Sequence, residues 1–391
     1  MTIEHIFLHA WNIITNTNHR ILDLLFREFG SFEVAWKEIT RDQLASLSKQ
    51  ISLTERKNAC NPKREWEVFE KTCEKMKPSR LTFPRFILRE DPDYPPLLKQ
   101  LSNAPFGLYI TGEIQREQFA AHRYIGIVGT RRPSEYGRQQ TKRVVHFLSQ
   151  VSQNITIVSG LADGIDMEAH ESAIRGHLPT WAILGNGHNH ISPYKDKLTR
   201  QILDHGGLIM SEYPPETQAE KFRFPERNRI IAGLSQATLV TQAPIKSGAN
   251  ITAKIAFQEN RDVFALTADI DRTDCAGNLA LIEQQIATPL TSYGQLINVL
   301  GITSNFLSSK QKQPLNSSLG QSAQIPSFPN DPHLQAIIGT LTHGHTTPVS
   351  QLMESTRIPS VSLLLQHLTE LELDGYIEQT SGGYRLKSAD E

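Results

Sequence analysis

Residues 124–137, YIGIVGTRRPSEYG, bring glycine, hydroxyl and guanidinium groups together in one short stretch. Ile125, Ile127 and Val128 form a tight β-branched run of the kind that suits a buried parallel strand. Gly126 and Gly129 let the backbone turn where a Cβ would interfere. Ser134 is placed to cap a helix over about 135–149. A strand–glycine–helix unit aims unpaired N–H groups and the positive end of a helix dipole at one spot, which favours an anion, usually phosphate. Arg131 and Arg132 add forked donors to that spot. The plain alternative is a surface turn with two solvated arginines.

Three further stretches carry similar chemistry. In SGLADGIDMEAH, 159–170, Gly160 leaves a strand and Gly164 opens a helix. Asp163, Asp166, Glu168 and His170 resemble a metal or acid–base cluster in type, but no third ligand from elsewhere is evident. Capping aspartates and a satisfied core histidine are the expectation. In FRFPERNRIIAGLS, 222–235, Arg227 and Arg229 flank Asn228 near the expected start of a helix, where a dipole disfavours cations. Cations held there point to an anionic ligand or to a buried carboxylate, for which Glu212, after the preceding strand, is a candidate. In APIKSGANITA, 243–253, Lys246, Ser247 and Gly248 offer an ammonium, a hydroxyl and helix-start N–H groups to a second phosphate. A P-loop would need Gly-x-x-x-x-Gly-Lys-Ser/Thr, which is absent, so ATP hydrolysis does not follow.

No catalytic pairing stands out. The chain lacks a Gly-x-Ser-x-Gly elbow, a His-Glu-x-x-His pair and a Cys-x-x-Cys. The turn at Gly126–Gly129 is not Gly-x-Gly-x-x-Gly, so a nicotinamide dehydrogenase fits poorly. What remains is a row of phosphate-seeking turns without a catalyst, metal or cofactor, and such a row suits a polyanion better than one small nucleotide.

The elements that would position these turns follow from periodicity. The chain has 391 residues, enough for two or three domains. Forty basic against 41 acidic residues leave a formal charge of −1, so any anion site must be local. Three cysteines without metal spacing fit a reducing cytosol, and neither a signal peptide nor a membrane-spanning run is visible. Residues 1–80 read as a helical domain, with Gly30 ending one helix and residues 55–77 forming a single longer one. Residues 81–301 alternate strands (125–128, 156–159, 180–184, 207–210, 237–241, 263–267) with helices (165–175, 196–205, 251–259), which implies α/β architecture with a mainly parallel sheet. Ligands of such sheets bind at the carboxyl ends of the strands, where the glycine turns gather. Residues 302–330 are Ser, Gln, Asn and Pro without period, a flexible linker. Residues 331–391 show three helices and a small hairpin, a winged-helix pattern.

Taken together, VGTRRPSEYG, SGLADGID with its trailing Ala-His, FPERNRIIAGLS and SGANITA resemble the DprA/Smf family of DNA-processing proteins, in order and in spacing, from about residue 91 to 293. The resemblance implies an extended Rossmann-like core between an N-terminal SAM-like domain and a C-terminal winged-helix domain. It further implies a cytoplasmic, dimeric, non-enzymatic protein that binds and protects single-stranded DNA and loads the RecA recombinase during natural transformation. The family's Gly-Ser/Thr-x-Arg turn falls on Gly129, Thr130, Arg131 and Arg132. Its other DNA-facing cations fall on Lys195 or Lys197, and on Lys246. The choice between the lysines stays open because the usual Tyr-Pro pair appears here as Pro193-Tyr194. Ser134, Gly160, Arg227, Asn228, Arg229, Ser247 and Gly248 complete the expected DNA-facing set.

Two rivals remain. One is an enzyme of the nucleoside-monophosphate phosphoribohydrolase type on a related fold, whose Pro-Gly-Gly-x-Gly-Thr-x-x-Glu loop is missing here. The other is a sensor that binds a single nucleotide. The winged-helix segment is a poor DNA reader on charge: Arg357, Arg385 and Lys387 stand against Asp331, Glu354, Glu370, Glu372, Asp374, Glu378, Asp390 and Glu391. Its expected recognition helix, 360–373, holds no Lys or Arg, so a protein contact is expected there.

Overall fold

The structure, a computed structural model, describes residues 2–47, 52–75, 84–302, 332–341, 346–356, 358–373, 377–380 and 383–386. Residues 303–330 of the expected 302–330 linker, and Arg357, Lys387, Asp331, Asp374, Asp390 and Glu391 of the last segment, lie outside these residues. The chain divides into two compact units, Met1–Lys312 and Gln313–Glu391.

The larger unit begins with six helices: α1 (Ile3–Thr15), α2 (His19–Phe29), α3 (Phe32–Glu38), α4 (Arg41–Leu47), α5 (Ser52–Ala59) and α6 (Pro62–Lys75). Gly30 ends α2 as expected: its φ of 69° is left-handed, and its N–H bonds the Phe26 carbonyl at 2.8 Å. The single helix expected over 55–77 is instead two. Pro62 cannot donate in a helix interior and opens α6. The helices share a core with the edge of the sheet, where Leu8, Trp11 and Phe69 pack with Phe86, Phe106 and Tyr109. The rings of Phe86 and Tyr109 stack at 4.3 Å, and His9 Nδ1 lies 2.6 Å from the Tyr109 hydroxyl.

The remaining elements are β1 (Arg85–Leu88), α7 (Pro96–Lys99), β2 (Gly107–Thr111), α8 (Arg116–Ala121), β3 (Arg123–Val128), α9 (Glu135–Val151), β4 (Ile155–Ser159), α10 (Ile165–Arg175), β5 (Thr180–Leu184), α11 (Asp196–Asp204) and β6 (Leu208–Ser211). After these come α12 (Arg223–Leu234), β7 (Ala237–Val240), α13 (Gly248–Gln258), β8 (Asp262–Leu266), α14 (Ala276–Glu283), β9 (Thr288–Leu290) and α15 (Gly294–Val299). They build one nine-stranded sheet in the order β1-β2-β6-β5-β4-β3-β7-β8-β9. Strands β3 to β9 are parallel, and β1 and β2 close one edge antiparallel.

Both sheet faces are covered, which explains the unbroken apolar strands. Along β3, Tyr124 and Val128 face a core with α12 and α13, while Ile125 and Ile127 face α9 and α10. Burying one such isoleucine contributes about 1.5–3 kcal/mol. The order reverses at β3: β4, β5 and β6 lie on one side, β7, β8 and β9 on the other. Loops leaving β3 and β7 therefore diverge and open a crevice at the carboxyl edge, the ligand position of open α/β sheets.

The smaller unit contains helices Pro332–Thr340, Val349–Thr356 and Val361–Leu373, then β10 (Ile377–Thr380) paired antiparallel with β11 (Gly383–Leu386). Leu334, Ile337, Leu352, Leu364, Leu368, Ile377 and Tyr384 form its core.

Candidate nucleic-acid interface at the sheet switch point

The turn between β3 and α9 is fixed by its neighbours. The Thr130 N–H donates to the Gln242 carbonyl at 2.7 Å, and the Thr130 carbonyl accepts from Ile165 N–H at 3.2 Å. The buried Gln242 side chain accepts from Ser134 N–H at 3.0 Å and donates to Ser134 Oγ at 2.7 Å. Ser134 does not cap α9 as expected, because its hydroxyl is taken up by Gln242 and Arg272. Asn278 joins β7 and β8 beneath, donating to the carbonyls of Val240 and Leu266 at 3.1 Å and accepting from Ala243 N–H at 2.8 Å. Gly164 caps α10 at φ 85°, and a Cβ there would collide with the Thr130 carbonyl, so only glycine lets these two loops meet. Between these clamps Arg131 and Arg132 are exposed.

A cavity of about 400 Å³ lies against this turn. Gly129, Thr130, Arg131, Arg132, Arg227, Asn228, Lys246, Ser247 and Gly248 all line it. With Ala162 and Asp166, which line it too, four sequence stretches far apart in the chain converge. Lys221 and Phe224 line the cavity as well and were missed. The signal was present in KFRFPERNR, where basic residues interleave with aromatic ones. The Arg131 guanidinium lies 5.2 Å from the Phe224 ring centroid, close enough for a cation–π contact.

A second cavity of about 200 Å³ shares Arg131, Ala162 and Phe224 with the first. It is lined by Gly160, Asp163, Tyr194 and Lys195, whereas Lys197, on the outside of α11, lines neither. Lys195 Nζ donates to the Leu161 carbonyl at 2.7 Å and lies 3.2 Å from Asp163 Oδ1. Tyr194, 63% exposed, donates to Asp163 at 2.7 Å; that bond, with Lys195 nearby, holds the Asp163 carboxyl below the usual range.

Geometry gives several of these groups internal partners. The Gly160 N–H does not face outward: it donates to Asp166 Oδ2 at 3.1 Å. Asp166 caps that loop rather than its own helix. Arg227 is buried under Gly160, with its guanidinium on the Gly160 carbonyl at 2.6 Å and on that of Ile183. Burial pulls it down to about 10 and pushes Asp166 up, each charge partly offsetting the other. Arg229 turns away from the cavity and meets Glu212 with 2.6 and 2.7 Å bonds, both side chains buried, which is the carboxylate alternative. Both arginines begin beyond the first turn of α12, so the expected conflict with the dipole does not arise. His170 is a core histidine bonded to Thr180 at 2.7 Å. Among the described residues no group of three or more His, Cys, Asp or Glu could hold a metal ion, and no helix is long and apolar enough to cross a membrane.

Fold and site define a Rossmann-like protein with a basic cleft at its sheet switch point. Residues 85–301 match the family model for DNA recombination-mediator protein A. The chain is 37% identical over 303 residues to protein Smf of Synechocystis, covering 76% of this chain and 73% of that protein. It is 38% identical over 195 residues to DNA processing protein DprA of Bacillus subtilis, covering 49% and 63%. The X-ray structure of DprA from Streptococcus pneumoniae matches with a TM-score of 0.61 and 28% identity over 76% of this chain and 98% of that one. The chain belongs to the DprA/Smf family of DNA recombination mediators.

Proposed function

We propose that this chain is a non-enzymatic mediator that binds single-stranded DNA along the carboxyl edge of its sheet, protects it and passes it to a RecA-type recombinase. The observation that carries the proposal is the convergence of Arg131, Arg132, Lys195, Lys221 and Lys246 on two adjoining cavities with a shared aromatic wall. A chain of phosphates needs consecutive cations, and unpaired bases need an aromatic face such as Phe224 or Tyr194. Gly129, Thr130, Asn228, Ser247 and Gly248 shape the groove, Ser134 steadies the arginine turn through Gln242, and Gly160 and Arg227 brace the groove. The matching family model and relatives support the recombination role. In this reading residues 1–80 form a SAM-like domain, 81–301 the Rossmann-like domain through which the protein dimerises, and 331–391 a winged-helix domain that meets protein rather than DNA. It acts in the cytoplasm.

Labelled single-strand and duplex oligonucleotides of increasing length, titrated across a salt series with a mononucleotide competitor, test this. Length-dependent, salt-sensitive preference for single strands is expected. Tight mononucleotide binding with indifference to strand length would instead favour the nucleotide sensor.

A further inference from the structure

The strap from Tyr213 to Phe222 has the basic cleft on one side and a different cavity on the other. That second hollow measures about 440 Å³ and is walled by α1, α6 and the strap, within the range of sites that take a ligand or a peptide segment. Its floor is apolar: Ile13 from α1, Val68 and Phe69 from α6, and Pro214 and Pro215. Ile13 and Val68 are 38% and 49% exposed, so two aliphatic side chains lie open to water in one concavity.

The rim is negative. Glu65, Glu216 and Glu220 line it. The one arginine or lysine among the lining residues, Arg223, is buried and used internally: it bonds the Gln218 carbonyl and Asn16 Oδ1, and lies 3.0 Å from Glu220. His9 adds no compensating charge, since burial lowers its imidazole to about 4. An apolar floor beside Glu65 and Glu216, which have no arginine or lysine within salt-bridge distance among the described residues, repels nucleic acid and anionic headgroups alike. It matches an apolar group carried between cations.

We infer that this hollow docks a short peptide segment of a protein partner, with two or three apolar residues flanked by lysine or arginine. The apolar residues cover Ile13, Val68 and Phe69, and the flanking cations meet Glu65 and Glu216. The site is separate from the basic cleft and does not depend on what that cleft binds.

The test is fluorescence anisotropy on the full chain with three labelled twelve-residue probes. These are a Pro-Leu-Phe core flanked by lysines, the same core flanked by glutamates, and a Ser-Ser-Ser core flanked by lysines. The lysine-flanked apolar peptide is expected to bind at least about tenfold tighter than the other two and to weaken with salt. Val68→Arg, at an exposed position, and the double variant Glu65→Gln/Glu216→Gln should each cost about tenfold in affinity with an unchanged thermal melt. Absence of binding by all three peptides, equal binding by all three, or full binding to Val68→Arg would overturn the inference. Sedimentation of the wild type and Val68→Arg covers the remaining occupant: self-association abolished by Val68→Arg would put a second copy of the chain in the hollow and overturn it too.

Discussion

Arg131 and Arg132 on the turn after β3, and Arg227 and Arg229 on α12, are the same residue type in the same quarter of the molecule. The first two are exposed; the second two are 3% and 7% exposed, buried to the same degree as core leucines. Backbone clamps hold the turn without touching its guanidinium groups, so their charge is available to a ligand. On α12 the charge is consumed by the carbonyls of Gly160 and Ile183 and by Glu212. A cation serves recognition only where its neighbours leave it unspent, and two arginine-bearing motifs do not say which kind each arginine is.

The sharpest way to break this contrast is to remove one half of the buried pair. Arg229→Ala or Glu212→Ala leaves a charge stranded in the core and should lower unfolding free energy by about 3–5 kcal/mol in urea titrations. Replacing both residues together with apolar ones of similar size should restore most of it. A single Arg229→Ala variant with wild-type stability and weakened DNA binding would mean that Arg229 belongs with the exposed group.

Between pH 7 and pH 5, acid should act on the buried side. His9 and His188 are lowered by burial to about 4, and His170 to about 3. Their folded values lie below the ordinary value near 6.5, so below that pH the unfolded chain binds more protons and stability falls as pH falls. Each contributes a loss of up to about 1.4 kcal/mol per pH unit between 6.5 and its folded value. The urea midpoint should therefore drop steeply from pH 7 to pH 5. A flat midpoint over that window would contradict the neutral, buried state of these rings.

The exposed side predicts the reverse pattern. Arg131→Ala/Arg132→Ala should weaken single-strand binding by about tenfold or more and reduce the slope of log K against log salt by about 1.4. Unfolding free energy should change by no more than about 0.5 kcal/mol. An unaltered salt slope would remove these residues from the phosphate track.

How much of this was legible beforehand depends on where the information sat. Strand β5 and helix α10 have the bounds that their apolar runs and glycine punctuation give, and β3, β4, β7 and β8 differ by one or two residues, because short apolar runs between turns are local signals. The turn residues Gly129 to Arg132 do lie at the switch point, since strand order forces loops at the carboxyl edge together. What was hidden is tertiary. Gln242 looks like any polar residue after a strand, yet it clamps the arginine turn 108 residues away in sequence. The burial of Arg227 depends on Gly160, where a Cβ would meet its guanidinium at 2.5 Å. The break at Pro62 was a local signal overruled by the charged texture on either side.

The lysines give the finest division of the contrast. Lys246 is exposed on the loop after β7 and lines the larger cavity, with its charge unspent by any carboxylate within salt-bridge distance among the described residues. Lys195 lines the smaller cavity but is already shared with Asp163 and Leu161. Lys197 is exposed and lines neither. Lys246→Ala should therefore lower the salt slope by about 0.7, the share of one phosphate contact on a single strand. Lys195→Ala should lower it by less, because its ammonium is already shared with Asp163 and the Leu161 carbonyl and has less to give a phosphate. Lys197→Ala should leave both slope and affinity unchanged. If Lys197→Ala shifts the slope as much as Lys246→Ala, the strand runs over α11 instead of through the second cavity, and the distinction between spent and unspent cations fails at its weakest point.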